Sequence, residues 1–395
     1  MNGHKWECRT QVRFGEDAVK NHLPEMLEKY NIRGKSVLLG YGGGSIKKNG
    51  AYDNVISVLK DFDCKVIEFS GIMSNPTVAK MLEGADLARK NNVSLVLAVG
   101  GGSTMDCCKA IAVQAPYNGD AWQDFWMDGK PIEHAPIPCG VVVTMPATGS
   151  EVNGCAVLTN EETKIKCDRD YPAINPRFAI MDPKYTLTMP ERQLKAGTFD
   201  ILSHIMETYF SFPIEDNPSD DISEGLMRGL IRDFKVALKN PQDYQARSNI
   251  MWCASLAENR TIKAGKTLDF QAHNMEHQLS AYTNCNHGEG LAILHPVYYR
   301  HIYKDGLGKF VRFAKNVWEL NPAEYKSDEE LAGAGIEALA SFIKEAGLPT
   351  TLRDIGFTEE DKKILPEIAE SCFISQGAYR KLTHQEILEI YEECW

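Results

Sequence analysis

An aspartate and several histidines recur at spacings that suit a site for a divalent metal. Asp200 and His204 lie four residues apart in a segment with helical periodicity, so both side chains should lie on one helix face. His273 and His277 repeat the spacing, and His287 follows in a glycine-broken turn. A carboxylate with imidazoles is a ligand set for Zn²⁺, Fe²⁺ or Co²⁺. The alternative is a helix-surface contact beside ordinary hydrogen-bonded core histidines.

A second chemical signal is the run of glycines Gly100, Gly101 and Gly102, which separates a buried apolar segment from a helical one. Glycines let the backbone approach a pyrophosphate, and the first turn of a helix offers free N–H groups and its positive dipole end. Ser103 could donate to a phosphate oxygen or simply cap the helix. The pattern favours a dinucleotide site, and the predicted contacts include Asp106 in the helix that follows.

Two more turns follow apolar strands, where an open parallel sheet usually binds its ligands. The turn after residues 36–39 resembles a glycine fingerprint that fails at its last position, so it could bind an anion or be a solvated basic turn. The turn after residues 141–143 carries hydroxyls that could bond the cofactor or only satisfy the turn. The predicted cofactor residues outside the triple glycine are Gly42, Gly43, Gly44, Ser45, Thr144, Thr148, Lys166 and Met181.

The elements that must position these residues change character along the chain. The first half alternates apolar, β-branched runs with helical patterns, which predicts a parallel sheet covered on both faces. From Pro190 onward helical patterns follow one another with few strand candidates. We therefore predict an α/β dinucleotide-binding domain over residues 1–188 and an all-helical metal-binding domain over 189–395. The predicted strands are 36–39, 65–69, 94–99, 137–145 and 178–181, and the predicted helices include 51–60, 77–90, 191–210, 221–238, 244–262, 331–346 and 385–393.

Composition excludes several classes of function. The formal net charge is -11 and no basic block is present, which argues against a nucleic-acid partner. No apolar run approaches the roughly 20 residues that cross a bilayer, and the first residues lack a signal-peptide pattern. The 11 cysteines form no CxxC pair and are interpreted as free thiols in a reducing compartment. We therefore expect a cytoplasmic protein with no membrane partner.

Together these segments resemble the iron-containing (group III) alcohol dehydrogenases, in particular the branch of butanol dehydrogenases and NADPH-dependent aldehyde reductases. The resemblance spans the chain. It is carried by GGGSTMDCCK at 100–109, SNPT at 74–77, TMPATGSE at 144–151, the Asp200 and His204 pair, and the run from His273 to Gly288, with YGGGSIKKNG at 41–50 indicating the branch. It implies a Rossmann-like parallel-sheet domain, an all-helical domain (the fold shared with dehydroquinate synthase), and a homodimer formed through an N-terminal strand near residues 8–14.

The resemblance also implies roles for the histidines. Asp200, His204, His273 and His287 would hold one divalent metal, Fe²⁺, Zn²⁺ or Co²⁺. His277 matches a family histidine near the nicotinamide, and we interpret it as a candidate proton relay, with cofactor packing as the alternative. One departure is Lys195, which stands where the family signature usually has a small apolar residue.

Cofactor and substrate follow from the same resemblance. Gly42 and Gly43 stand where relatives that prefer NAD carry an aspartate, and Ser45 and Lys47 follow, so we expect NADP(H) over NAD(H). Glu68, at the end of the second predicted strand, keeps NAD(H) open as the alternative. The expected reaction is hydride transfer between the cofactor and a small aliphatic aldehyde or alcohol such as butanal or butanol. The alternatives are an NAD-using lyase like dehydroquinate synthase and a non-catalytic protein that binds metal and nucleotide.

Overall fold

The structure is a computed structural model that describes residues 2–395. Its described residues form two compact units. The sheet unit comprises residues 7–189 and 242–255, and the helical unit comprises the residues up to 6, 190–241 and 256–395. The boundary between the units therefore does not fall at one point in the sequence, because most of the helix Tyr244–Glu258 belongs to the sheet unit.

The sheet unit is built on six parallel strands. The strands within residues 2–395 are β1 (Gln11–Phe14), β2 (Ser36–Tyr41), β3 (Lys65–Phe69), β4 (Leu95–Gly100), β5 (Cys139–Val143), β6 (Cys155–Asn160), β7 (Ile165–Asp170) and β8 (Phe178–Met181). Six of them pair in the order β1-β8-β5-β4-β2-β3, and every neighbouring pair is parallel. The N-terminal strand starts at Gln11, three residues later than the 8–14 segment expected from the sequence, and forms one edge.

Side-chain alternation explains why helices cover both faces of this sheet. The helices here are α1 (Ala18–Lys29), α2 (Ser45–Lys48), α3 (Ala51–Asp61), α4 (Val78–Lys90) and α5 (Gly102–Gln114). Val37 and Leu39 of β2 pack into one buried cluster with residues of α1 and α3. Leu38, between them, packs into the opposite cluster with residues of α4 and α5. Successive strand side chains point to opposite faces, so a continuously apolar strand serves both layers.

The connections place the glycine-rich turns at one edge of the sheet. From β2 the chain passes to β3 on one side and then crosses to β4 on the other. The carboxyl ends of β2 and β4 therefore flank a topological switch point, where open α/β sheets bind ligands. The turns after β2, β4 and β5, together with the last residue of β8, share this edge because all four strands are parallel neighbours.

Two strands of the sheet unit were not predicted from the sequence. β6 and β7 form a separate antiparallel hairpin in full register from Cys155 opposite Asp170 to Asn160 opposite Ile165. Four of the six residues of β7 are charged, which hides the apolar alternation of a strand. The buried side chains of the hairpin, Ala156, Leu158 and Cys167, join the cluster beneath α5.

The chain from residue 190 to 395 contains helices and no strand, as predicted. The remaining helices are α6 (Glu191–Tyr209), α7 (Pro218–Lys239), α8 (Tyr244–Glu258), α9 (Gln271–Thr283), α10 (His287–Ile302), α11 (Leu307–Asn316), α12 (Asp328–Glu345), α13 (Glu359–Glu370) and α14 (His384–Glu393). The side chain of Asn286 caps α10 by accepting from Glu289 N–H. In residues 2–395 no helix combines the length and apolar composition that a bilayer crossing demands. The predicted fold class is confirmed.

Candidate functional site

The first two metal-site candidates lie on α6, a helix whose second half is almost entirely buried. Asp200 and His204 are one turn apart on it, as their spacing predicts. His204 Nδ1 donates to the backbone carbonyl oxygen of Asp200 at 2.7 Å, which leaves its Nε2 as the ligand nitrogen. The side chain of Asp200 is 4% exposed and that of His204 is 10% exposed, so the pair does not lie on the exposed surface of the helix.

α9 and α10 bring two more imidazoles to the same carboxylate. The Nε2 atoms of His273 and His287 each lie 3.6 Å from Oδ1 of Asp200. Two ligands about 2.1 Å from a tetrahedral metal are separated by roughly 3.4 Å, so these spacings suit a shared ion. Ligand atoms of Asp200, His204 and His273 lie within 4.8 Å of one another, and the contact between His287 and Asp200 adds the fourth group.

Two local features hold α10 against α6. A Cβ on Gly288 would lie 2.1 Å from the backbone oxygen of Ala196, so only glycine permits this approach beside His287. The next residue, Glu289, accepts from Nε and Nη2 of Arg192, both at 2.6 Å. A bidentate guanidinium–carboxylate pair fixes orientation as well as distance, so the first turns of the two helices are aligned.

Unsatisfied atoms mark where a cation fits. Oδ1 of Asp200 and Nε2 of His273 are buried and have no hydrogen-bond partner within residues 2–395. Buried polar groups are rarely left unpaired, and the atoms concerned are the two that the ligand set requires. Burial favours a raised pKa for Asp200, but the imidazoles of His204 and His287 outweigh it and hold that pKa at about 2. The residues present therefore fit one divalent metal with oxygen and nitrogen ligands.

Two glutamates that the sequence interpretation missed support this cluster. Glu207 Oε2 accepts from Nδ1 of His273, and Glu276 Oε2 accepts from Nδ1 of His287. Burial lowers the pKa of His273, but the charges of Glu207 and Asp200 and the hydrogen bond to Glu207 reverse this and raise it to about 10. Glu207 follows His204 by three residues on the same helix face, and that spacing is a signal the sequence did contain.

His277 lies beside the cluster on α9, one turn after His273. Its ring stacks on that of His287 at a centroid distance of 5.5 Å and stands edge-on to His273 at 6.1 Å. It is 4% exposed. It thus neighbours two proposed ligands, and one of its ring nitrogens lies within 4.8 Å of possible ligand atoms of His287 and Glu276.

In the sheet unit, the triple glycine forms the predicted strand-to-helix turn. Gly100 ends β4, Gly101 is the residue before α5, and Gly102 and Ser103 begin the helix. A Cβ on Gly102 would lie 2.4 Å from Cγ2 of Thr148, and one on Gly101 would lie 3.2 Å from Cβ of Met145. The turn after β5 therefore packs directly on the helix N-terminus, where free N–H groups suit a phosphate.

Several predicted cofactor residues have internal partners. Asp106 is 5% exposed, and its two oxygens accept from Ser150 Oγ at 2.6 Å and Val157 N–H at 3.2 Å. Lys166 Nζ donates to Asn75 Oδ1 at 2.9 Å. Met181 is fully buried at the end of β8. Thr144 follows β5 and is buried. These residues border the turns, and their contact with a cofactor stays a prediction.

The turn after β2 is more open and contains a charged cluster. Gly43, Gly44 and Ser45 are exposed, and the short helix α2 follows. Beside this turn, Glu68 accepts from the hydroxyls of Tyr41 and Tyr52, both at 2.6 Å. These hydroxyls lower the pKa of Glu68, so the carboxylate keeps its charge. Glu68, the residue that left NAD(H) as the alternative cofactor, therefore lies at the edge of the sheet where the strands have their carboxyl ends.

Family comparisons agree with this geometry. The family model described as iron-containing alcohol dehydrogenase matches residues 9–183, and the model of the C-terminal region of the same family matches residues 195–395. The chain belongs to the iron-containing alcohol dehydrogenase family and is an oxidoreductase. The resemblance stated from its motifs is confirmed.

Individual relatives share the full length. The chain is 40% identical to NADH-dependent butanol dehydrogenase B of Clostridium acetobutylicum, with 100% of both proteins covered. It is 36% identical to NADPH-dependent aldehyde reductase YqhD of Escherichia coli, with 99% of both covered. The crystal structure of NADH-dependent butanol dehydrogenase A from Thermotoga maritima superposes with a TM-score of 0.93 at 36% identity, covering 100% of this chain and 99% of that one.

Proposed function

We propose that this protein transfers hydride between NADP(H) and a small aliphatic aldehyde or alcohol of the butanal and butanol type, with a divalent metal held by Asp200, His204, His273 and His287. The observation that carries the proposal is the convergence of the buried imidazoles of His204 and His273 and the half-buried imidazole of His287 on Oδ1 of Asp200, an atom with no hydrogen-bond partner in residues 2–395. A site built in this way for a cation suits Lewis-acid chemistry on a carbonyl.

The chemistry divides between the bound groups and the chain. When bound, Fe²⁺, Zn²⁺ or Co²⁺ would supply positive charge to a carbonyl oxygen, and the nicotinamide would supply or accept hydride. The chain's part is to fix the ligands. Asp200 contributes the only carboxylate among the four ligands, and Glu207 and Glu276 orient His273 and His287 through their far ring nitrogens. Partial burial of the ligands excludes bulk water, which strengthens electrostatic interactions at the site.

We assign the proton relay to His277. Its ring neighbours those of His273 and His287, and an imidazole has a reference pKa near neutrality. His277→Ala should lower turnover on the order of 100-fold while bound metal stays stoichiometric. Unchanged turnover would leave His277 with a packing role only.

The proposed preference for NADP(H) rests on the turn after β2. Gly42 and Gly43 supply no carboxylate to repel a 2′-phosphate, and Lys47 adds positive charge. Relatives are named for both choices, NADH-dependent for the butanol dehydrogenases and NADPH-dependent for the aldehyde reductase. The ratio of kcat/KM for NADPH to that for NADH tests this preference. A strong preference for NADH contradicts this part of the proposal.

The decisive experiment is a panel of aliphatic aldehydes with NADPH and NADH, on protein stripped of metal and reloaded with Fe²⁺, Zn²⁺ or Co²⁺. We expect oxidation of the reduced cofactor that requires reloading and a four-carbon aldehyde among the better substrates. A dehydroquinate-synthase-like lyase uses its dinucleotide transiently and gives no net change at the absorbance of the reduced cofactor. A non-catalytic binding protein gives none with any reloaded metal. Either result contradicts the proposal.

We also place the protein in the cytoplasm as a homodimer. All 11 cysteines are free thiols, which suits a reducing compartment. β1 forms an edge of the sheet, and an edge strand offers unpaired backbone groups to a second copy. Light scattering of the purified protein tests the dimer, and a monomeric mass at micromolar concentration would exclude it.

A further inference from the structure

The three imidazoles of the metal cluster are not held alike. His273 on α9 donates its Nδ1–H to Glu207 of α6, and His287 on α10 donates its Nδ1–H to Glu276 of α9. His204 donates instead to the carbonyl oxygen of Asp200, four residues earlier in its own helix. Two ligands therefore have a charged acceptor on a neighbouring helix, whereas the third has a neutral acceptor on its own.

Both glutamates are buried beside the imidazoles from which they accept hydrogen bonds. The side chains of Glu207 and Glu276 are 0% exposed. A buried carboxylate that accepts from one ring nitrogen fixes the proton there and makes the opposite nitrogen a better donor to a cation. The opposite nitrogens, Nε2 of His273 and of His287, are the atoms that face Oδ1 of Asp200.

Glu207 has a second task, at the start of α9. Its Oε1 accepts from the backbone N–H of Ala272 at 2.7 Å and of His273 at 3.3 Å, in the first turn of α9. A carboxylate there is also stabilised by the helix dipole. The other oxygen of Glu276 accepts from Ser280 Oγ, which belongs to the same helix, and from Cys285 Sγ at 3.9 Å. Glu207 thus locates both the ring of His273 and the start of the helix that carries it.

We propose that Glu207 and Glu276 are positioning residues that lock His273 and His287 in the metal-binding tautomer, with Glu207 also joining α9 to α6. The inference rests on the proposed metal centre. It predicts that metal affinity depends on two residues that do not touch the metal. It also predicts that Glu207 contributes to the stability of the metal-free protein more than Glu276 does.

Metal affinity, measured by competition with a chromophoric chelator, tests the inference without any assay of activity. Glu276→Gln and Glu207→Gln keep the shape and an acceptor oxygen but remove the charge. Each should weaken Co²⁺ and Zn²⁺ binding by about 10- to 100-fold and shift the visible absorption of bound Co²⁺. Glu224→Gln is the matched control, since Glu224 is also buried but bonds Tyr209 and Arg312. It should bind metal like the unsubstituted protein.

Thermal unfolding of the metal-free variants separates the two tasks. Glu207→Gln should lower the midpoint more than Glu276→Gln, because Glu207 accepts from two backbone N–H groups at the start of α9. If Glu207→Gln fails to fold, Glu276→Gln alone carries the affinity test. Unchanged affinity and an unchanged Co²⁺ spectrum in Glu276→Gln overturn the inference while the metal centre stands. Absence of stoichiometric metal binding in the unsubstituted protein overturns the metal centre and the inference with it.

Discussion

The proposed metal cluster and the proposed phosphate site at the glycine-rich turns would bind opposite charges by opposite means. The cluster uses side chains from three helices, and buried carboxylates orient them. The turns would use backbone N–H groups at the start of α5, where the glycines carry no side chain. A cation needs a preorganised set of lone pairs, whereas a phosphate needs only access to donors that every helix N-terminus already has. We therefore expect a substitution in one region to weaken the binding of its own ligand and to leave binding in the other region unchanged.

The largest effect should come from Asp200→Asn, which tests the cation side. The substitution removes the one charge among the four ligands and leaves the volume nearly unchanged. Deleting one partner of a buried charge pair costs about 3–5 kcal/mol, which corresponds to at least about 100-fold weaker metal binding. Metal content after dialysis should fall accordingly, and turnover with it. The dissociation constant for NADPH, measured by fluorescence, should stay the same, and a parallel loss would break the comparison.

The reciprocal change is Gly102→Ala, which tests the anion side. Its new Cβ would lie 2.4 Å from Cγ2 of Thr148, so the turn after β5 must shift away from the start of α5. We expect about tenfold weaker NADPH binding with unchanged metal content. Adding Thr148→Ala removes the two nearest atoms, Cγ2 and Oγ1, and should restore part of the affinity. Full affinity in the single variant would mean that this close packing is not needed for the cofactor.

The two regions also differ in how well the sequence predicts them. Three glycines in succession after an apolar strand are a local signal, because the backbone conformation they permit is itself the binding device. The metal ligands are 87 residues apart from Asp200 to His287, and only the family motifs tie them together. The parallel sheet was predictable for a local reason too, since its strands are apolar on both faces.

The sequence alone did not show which side chains from different elements bond to one another. Glu207 and Glu276 resemble many other helical glutamates until the fold shows which imidazole each one faces. Asp106 lies in a motif that suggests cofactor contact, yet both its oxygens bond the chain itself. The sequence predicts residues 242–255 to belong with the helices of the C-terminal half, but they pack within the sheet unit. Glu207 lies 66 residues from His273 and Asp106 lies 44 residues from Ser150, separations over which local patterning carries no information. Glu276 and His287 are only 11 residues apart but lie on different helices.

The smallest effect should come from Glu68→Gln, which sharpens the comparison by altering a side chain on the anion side. Glu68 is an exposed carboxylate at the edge of the sheet where the glycine turns lie, and the hydroxyls of Tyr41 and Tyr52 keep its pKa low. Removing its charge should favour the extra phosphate of NADPH and raise the ratio of kcat/KM for NADPH to that for NADH by about threefold, a modest change because solvent screens an exposed charge. The same ratio measured in high salt should show a smaller difference between the two proteins. If the ratio falls instead, Glu68 does not repel the 2′-phosphate, and the choice of cofactor is made by the backbone and the lysines of the turn after β2.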